Sequence, residues 1–381
     1  MTARAPLRLA YLVHDLNDPA VARRLEMLRP HLAAATVIGF HRAAMPPATV
    51  AGFPTVAIGH TADARLGQRA LAVMHAWRRL SALREVFQGA NAILARQLEA
   101  LLLARAARDR FCPAVPLLYE LLDVHRLLVA TSPPGVALRA MERRLIAASD
   151  GVVVSSPAFV REHLVKAHGA ALPTVCLMEN KVLGTEADTA PPAAPPAGPP
   201  WRIGWFGMLR CRQSLLLLAE LVRRLPGQVE VRLHGRPALA AIPDFDQIVA
   251  AAPGLSFHGP YDRARDLAQL YREVHFSWAI DWYETGANSD WLLPNRLYEG
   301  SLHGAVPIAL AAVETGRWLA QRGAGVLLGA TPAAEILDLF SNLDPVRYAA
   351  AAARVTAIPR SDLVDDGADG ARLAEALRHR R

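Results

Sequence analysis

Between Asp281 and Ala309 the chain reads DWYETGANSDWLLPNRLYEGSLHGAVPIA, its densest grouping of residues able to hold an anion. Pro294 suits the first turn of a helix, so Asn295 and Arg296 fall at a helix N-terminus, where unpaired N–H groups and the helix dipole attract phosphate. Arg296 adds a planar cation matched to phosphate oxygens. Glu299 lies on the same helical face, where a carboxylate can accept hydrogen bonds from ribose hydroxyls. Gly304 suits the end of that helix, and Pro307 opens the next strand. The preceding loop carries Glu284, Gly286, Asn288 and Asp290. A capped helix with a solvated Arg–Glu pair is the competing reading, and it leaves the polar loop without a purpose.

A second window, Ile203–Ser214 (IGWFGMLRCRQS), runs from a strand through Gly207 into a loop with Arg210 and Arg212, then a helix. Gly207 lets a ligand approach the backbone closely, and two arginines at a helix N-terminus make an anion site. An ordinary strand–helix turn explains the same residues. No G-x-G-x-x-G fingerprint is present. His234-Gly235-Arg236 follows the next strand and faces the same side.

In the first half, the stretch Tyr119–Arg126 (YELLDVHR) follows a strand and is rich in titratable groups. Glu120, Asp123 and His125 are the candidates for taking a proton from an attacking hydroxyl. A strand-end turn with Asp123 as a helix cap is the alternative. Asp15, after the first strand, and Asn180, in Glu179-Asn180-Lys181, are candidates for lining an acceptor pocket. Asp244-Phe245-Asp246 has the form of a metal chelator but sits in an expected surface loop after Pro243, so no metal site is assigned.

These groups need a scaffold, and the apolar runs supply one. Strands are expected at Leu7–Val13, Val37–Phe40, Pro116–Glu120, Gly151–Ser155, Arg202–Phe206, Val229–His234, Leu255–His258, His275–Trp282 and Val306–Ala311. Helices are expected at Ala137–Ala148, Ser214–Leu225 and Arg296–His303, with a helical, cationic stretch over Arg65–Arg110. Strand–helix alternation means parallel sheets. Residues 189–200, TAPPAAPPAGPP, cannot bury a core and read as an extended linker. The expected division is a first α/β domain over 1–185, a linker over 186–200 and a second α/β domain over 201–381, with the last helix packing back on the first.

The chain has 381 residues, 52% hydrophobic and 20% charged, which fits globular domains and argues against disorder. No apolar run approaches the roughly 18 residues needed to span a bilayer, and the first residues lack a signal-peptide pattern. A cytoplasmic location is expected, at most peripheral at the inner face of the cell membrane. Cys112, Cys176 and Cys211 have no paired spacing and read as reduced thiols in small apolar spaces. The net charge is +7, carried almost wholly by arginine. The arginines are dispersed and no nucleic-acid motif occurs, so nucleic acid is not an expected partner. Trp77, Leu80, Leu83 and Phe87, among arginines on a helical period, either rest on an anionic membrane surface or pack on the chain's own sheet.

LPNRLYEGSLHGAVPIA, with IGWFGMLR and SDGVVVSSPAFVREHL, resembles glycosyltransferases of the two-domain GT-B fold, especially bacterial enzymes that build exopolysaccharides such as succinoglycan. The resemblance covers most of the chain and is strongest over residues 202–311. It implies two Rossmann-like α/β domains with parallel sheets facing a central cleft. It also implies a nucleotide diphosphate sugar as donor and a saccharide or lipid-linked saccharide as acceptor, with no cofactor or metal. Glu299 would bind the donor ribose, Arg210 or Arg212 the diphosphate, and Asn295 and Arg296 would line the donor pocket. The chain departs from the family in three ways. Trp291 stands where many relatives have a first glutamate, the usual diphosphate lysine is missing, and HDLNDP replaces a glycine-rich loop. A sugar-nucleotide epimerase on the same fold and a non-catalytic scaffold of a polysaccharide assembly complex are the alternatives.

Overall fold

The computed structural model describes residues 5–61, 66–169, 172–187 and 195–381. The expected proline-rich linker lies outside the described residues from Thr189 to Ala194. Two compact units result: Met1–Glu179 with Gly367–Arg381, and Asn180–Asp366.

The first unit is built on strands β1 (Leu7–Val13), β2 (Leu32–His41), β3 (Thr49–Val50), β4 (Phe53–His60), β5 (Ala92–Arg96), β6 (Leu117–Leu121), β7 (Gly151–Val154) and β8 (Thr174–Leu177). They form one sheet in the order β3-β4-β2-β1-β5-β6-β7-β8, parallel except for the β3–β4 hairpin. β5, β6 and β7 are buried on both faces, as strands covered by helices must be. The stretch expected to be helical from Arg65 to Arg110 is interrupted by β5. Five residues of Ala-Ile-Leu-Ala-Arg are too few to announce a strand between two helices, and pairing with β1 and β6 decides the matter. The chain's last helix, Ala368–Ala376, buries Leu373, Ala374 and the following Leu377 in this unit, and its Gly370 sits against the carbonyl of Met27.

The second unit has β9 (Val182–Leu183), β10 (Trp201–Leu209), β11 (Val229–Pro237), β12 (Leu255–Phe257), β13 (Phe276–Trp278), β14 (Val306–Leu310), β15 (Val326–Leu328) and β16 (Val364–Asp365). Six of these make a parallel sheet in the order β12-β11-β10-β13-β14-β15, and β9 pairs with β16. Trp201, Trp205 and Trp278 lie fully inside its core. β13 is shorter than the expected His275–Trp282. Every residue from His275 to Ile280 is buried, and the chain turns at Asp281.

In each sheet the chain builds outward from a central strand and then returns to that strand's other side. This puts a switch point between β1 and β5 in one unit and between β10 and β13 in the other. Diverging connections there leave a crevice at the carboxyl ends of the strands, where open α/β sheets take ligands.

Candidate functional site

The β10–β13 switch point gathers the residues of both sequence windows. Near the end of β10, Gly207 has its backbone in the left-handed region at φ +107°, and a Cβ placed there would meet nothing within 4 Å. Beside it on β11, Gly235 has φ +135°, and a Cβ there would collide with the carbonyl oxygen of Gly207. One glycine therefore keeps a space open, and the other lets the strand ends close up. The helix Arg212–Arg224 starts immediately after, headed by Cys211, whose sulfur accepts from the backbone N–H of Ser214 (3.4 Å) and of Trp282 (3.2 Å). Cys211 is thus a clasp between two loops as well as a small apolar filler. A cavity of about 410 Å³ opens here, lined by Arg210, Cys211, Arg212, Ala238, Trp282 and Tyr283 among others.

Three arginines were expected at this end, and the structure gives them different situations. Arg210 donates from Nε to Asp281 Oδ2 at 3.1 Å and lies 5.1 Å from the centre of the Tyr283 ring. Arg212 is spread on the surface, forked onto Asp244 at 3.1 and 2.5 Å. That fork consumes its planar face, so Arg212 meets an anion only by giving up Asp244, the first residue of the Asp-Phe-Asp triplet. Arg296 makes no side-chain hydrogen bond or ion pair with any described residue, and its Nε is buried without a partner. Burial lowers its pKa from the ordinary guanidinium value, while the nearby Asp281 carboxylate pulls the other way and Arg210 adds to the lowering. Two guanidiniums thus share the field of one carboxylate, and the balance is positive.

Arg296 belongs to the helix Asn295–Leu302, as its sequence foretold. Pro294 precedes that helix and supplies no side-chain cap to its first turn. Asn295 is exposed at this end. Glu299, one turn on, is 5% exposed and accepts from Arg263 Nε at 2.9 Å. Arg263 donates its other side to Glu186 at 2.6 Å. Burial works against the Arg263 charge, but Glu299 and Glu186 outweigh it and raise its pKa. Arg263 lies 36 residues before Glu299, so no local spacing could have revealed that the carboxylate is already held on one side.

The loop before this helix is knitted to itself. Asp281 Oδ1 accepts from the backbone of Tyr283 at 2.8 Å, and Glu284 takes Asn288 Nδ2 at 2.9 Å on Oε2. The backbone N–H of Glu284 donates to Ser289 Oγ, and that of Gly286 to Asp290. Glu284 and Asn288 therefore shape the loop, and their polar atoms serve it first. Asn180 opens the second unit and donates to the carbonyl of Leu293 at 3.0 Å, steadying the approach to Asn295. His234 stacks on His258 with ring centres 4.7 Å apart, and burial, then His258, bring its pKa down to about 4. At neutral pH it offers an uncharged imidazole.

In the first unit the expected proton acceptors separate. Glu120 is completely buried, taking Arg24 at 2.6 Å, Arg96 at 2.8 Å and the Tyr11 hydroxyl at 2.5 Å. Burial pushes its pKa up, but Arg96 and Arg24 outweigh this, helped by Tyr11, and the value falls to about 2. A carboxylate so enclosed takes no proton from an outside hydroxyl, which removes Glu120 from the catalytic candidates. Its work is architectural: Arg96 runs on from Glu120 to Asp18, the cap of the helix Pro19–Leu28. Asp123 is exposed, and His125 accepts from the backbone of Leu127 at 3.2 Å, heading a short helix. Asp15 is buried at the end of β1, accepts from the backbone of Asn17 and lies 3.4 Å from Arg42.

Comparison with known proteins fits this arrangement. The succinoglycan biosynthesis protein ExoL of Rhizobium meliloti (strain 1021) is 43% identical over 376 residues, covering 97% of this chain and 93% of that protein. Among solved structures, HepE of Anabaena, in complex with UDP and glucose, superposes with a TM-score of 0.69 at 18% identity, over 97% of this chain and 99% of that one. WaaG, a glycosyltransferase involved in lipopolysaccharide biosynthesis, gives a TM-score of 0.64 at 11% identity, over 97% and 99%. These are GT-B structures, and the fold here is theirs. No family model matches the chain.

Proposed function

The chain belongs to the family of the succinoglycan biosynthesis protein ExoL, and we propose that it is a glycosyltransferase of exopolysaccharide biosynthesis whose donor, a nucleotide diphosphate sugar, is held by the second unit. The observation that carries the reading is Arg296: a guanidinium set into a strand switch point with no partner among the described residues, beside Arg210 and a helix start to which Pro294 supplies no side-chain cap. A diphosphate supplies the missing counter-charge. Glu299 offers its carboxylate to the ribose, and Gly207 leaves room for the diphosphate to approach the backbone. Because HepE holds UDP and glucose, a UDP-sugar is the first donor to try.

In the reaction the bond from the sugar's anomeric carbon to the diphosphate breaks, and an acceptor hydroxyl bonds to that carbon. Negative charge collects on the leaving diphosphate, where Arg210 and Arg296 stabilise it in place before the bond breaks. The hydroxyl proton goes to a base, for which Asp123 and His125 are the candidates left once Glu120 is set aside. The acceptor is a saccharide or lipid-linked saccharide, and with a lipid-linked one the enzyme works at the inner face of the cell membrane. No helix of the described residues is long and apolar enough to cross a membrane.

The test incubates the protein with UDP-sugars, with and without a lipid-linked or free oligosaccharide. The reading expects UDP release and a lengthened saccharide only when acceptor is present. An isomerised donor formed without acceptor would replace it with the epimerase reading.

A further inference from the structure

The helix Leu66–Arg78 of the first unit presents two unlike faces. Ala72, Val73 and Ala76 turn inward, and the 3-10 turn Leu80–Leu83 and the helix Arg84–Gly89 that follow bury Leu80, Leu83 and Phe87. The opposite face carries Leu71, Met74 and Trp77, exposed by 54%, 47% and 46%. Their spacing of three residues sets them along one side of the helix. Large apolar side chains so open to water, grouped on one helix, mark a surface that meets something else. Packing on the chain's own sheet therefore accounts for Leu80, Leu83 and Phe87 and leaves Leu71, Met74 and Trp77 unexplained.

The surroundings say what covers them. His75 and Arg78 share that outward face, Arg79 follows, and all three are exposed. Beyond the turn, Arg84 and Arg110 both lie against the Phe111 ring, at 5.6 and 5.5 Å, holding two cations side by side on the surface. Arg78, Arg79, Arg84 and Arg110 form no ion pair among the described residues. The acids nearby are Glu85, Asp109, which is taken by Arg105 at 2.6 Å, and Glu99, which is taken by Arg69 of the helix Leu66–Arg78. Apolar side chains including a tryptophan, with unpaired arginines at their margin, match a bilayer interface whose headgroups are anionic and whose acyl boundary is apolar.

We infer that this face of Leu66–Arg78, with the arginines that follow it, docks on an anionic lipid surface. The inference deepens, and rests on, the reading of an enzyme whose acceptor is lipid-linked. It makes the first unit the part that meets the membrane. Docking needs neither a spanning helix nor a lipid anchor. Each arginine near the surface contributes roughly a fivefold gain in partitioning at low salt, so Arg78 and Arg79 together make the binding salt-dependent.

The experiment sediments the full chain with vesicles of phosphatidylcholine alone or with about a third phosphatidylglycerol, at low and high salt. Wild type, Leu71→Ser/Met74→Ser/Trp77→Ser and Arg78→Glu/Arg79→Glu are compared. Wild type should partition onto the anionic vesicles and not the neutral ones, and each variant should lose at least tenfold. Equal partitioning of wild type and variants, or none by wild type, would overturn the inference. A dimer in light scattering without lipid, abolished by the triple variant, would assign the face to a second copy instead. UDP binding measured on the same samples separates failure of this surface from failure of the donor site, and unchanged melting of the variants excludes misfolding.

Discussion

Arg296 holds its charge at a cost. A half-buried guanidinium whose Nε is shut away from water without a hydrogen-bond partner forfeits solvation that the nearby Asp281 carboxylate returns only in part, and burial accordingly lowers its pKa. Residues selected for stability alone are not left this way, whereas a residue waiting for an anion must be. Arg296→Met should therefore leave the thermal midpoint unchanged or raised, and weaken nucleotide diphosphate binding by roughly 10- to 100-fold, the worth of a charged hydrogen bond or two. Melting curves and titration calorimetry on the same protein check both halves. His234 carries a prediction about pH. Its folded pKa of about 4 lies below the ordinary histidine value of 6.5, so the unfolded chain takes up the proton first. Its contribution to stability is full above pH 6.5 and falls as pH drops towards 4. Half-buried His14 and buried His168 and His275 have the same sign. The fall in melting temperature between pH 6.5 and 4.5 should be shallower in His234→Phe than in wild type, and parallel curves would contradict this.

At the scale of elements, two glycines on neighbouring strands divide two jobs. Gly235→Ala drives a Cβ into the Gly207 carbonyl and should cost about 3 kcal/mol or more of stability. Gly207→Ala adds a methyl to open space. It should cost only about 1–2 kcal/mol for the left-handed backbone, yet weaken nucleotide binding disproportionately. Denaturant unfolding beside calorimetry distinguishes them, and the same order in both measurements would mean that Gly207 has no ligand role. The helix at Asn295 was legible because Pro294, Gly304 and Pro307 punctuate it locally. The glycine at 207 was legible for the same reason. What stayed hidden depends on residues far apart in sequence. Glu120 looks like a base beside Asp123 until Arg24 and Arg96 arrive from other elements and enclose it. Arg212 looks like Arg210 until Asp244 claims it. β5 is invisible until β1 and β6 flank it.

For the whole molecule, two sheets repeat one plan, each with a switch point beside its first long strand, and the second sets there, in Arg296, a guanidinium with no side-chain partner among the described residues. The first unit's switch point is filled instead by the closed set of Tyr11, Arg24, Arg96 and Glu120. This asymmetry is the ground on which we propose donor binding in the second unit. The most direct test is calorimetric titration of UDP, GDP and ADP into wild type, Arg296→Met and Glu299→Ala. The account predicts that one nucleotide binds in the micromolar range and that both substitutions weaken it, Arg296→Met without loss of stability. Failure of every nucleotide to bind, or binding unchanged by Arg296→Met, would contradict it.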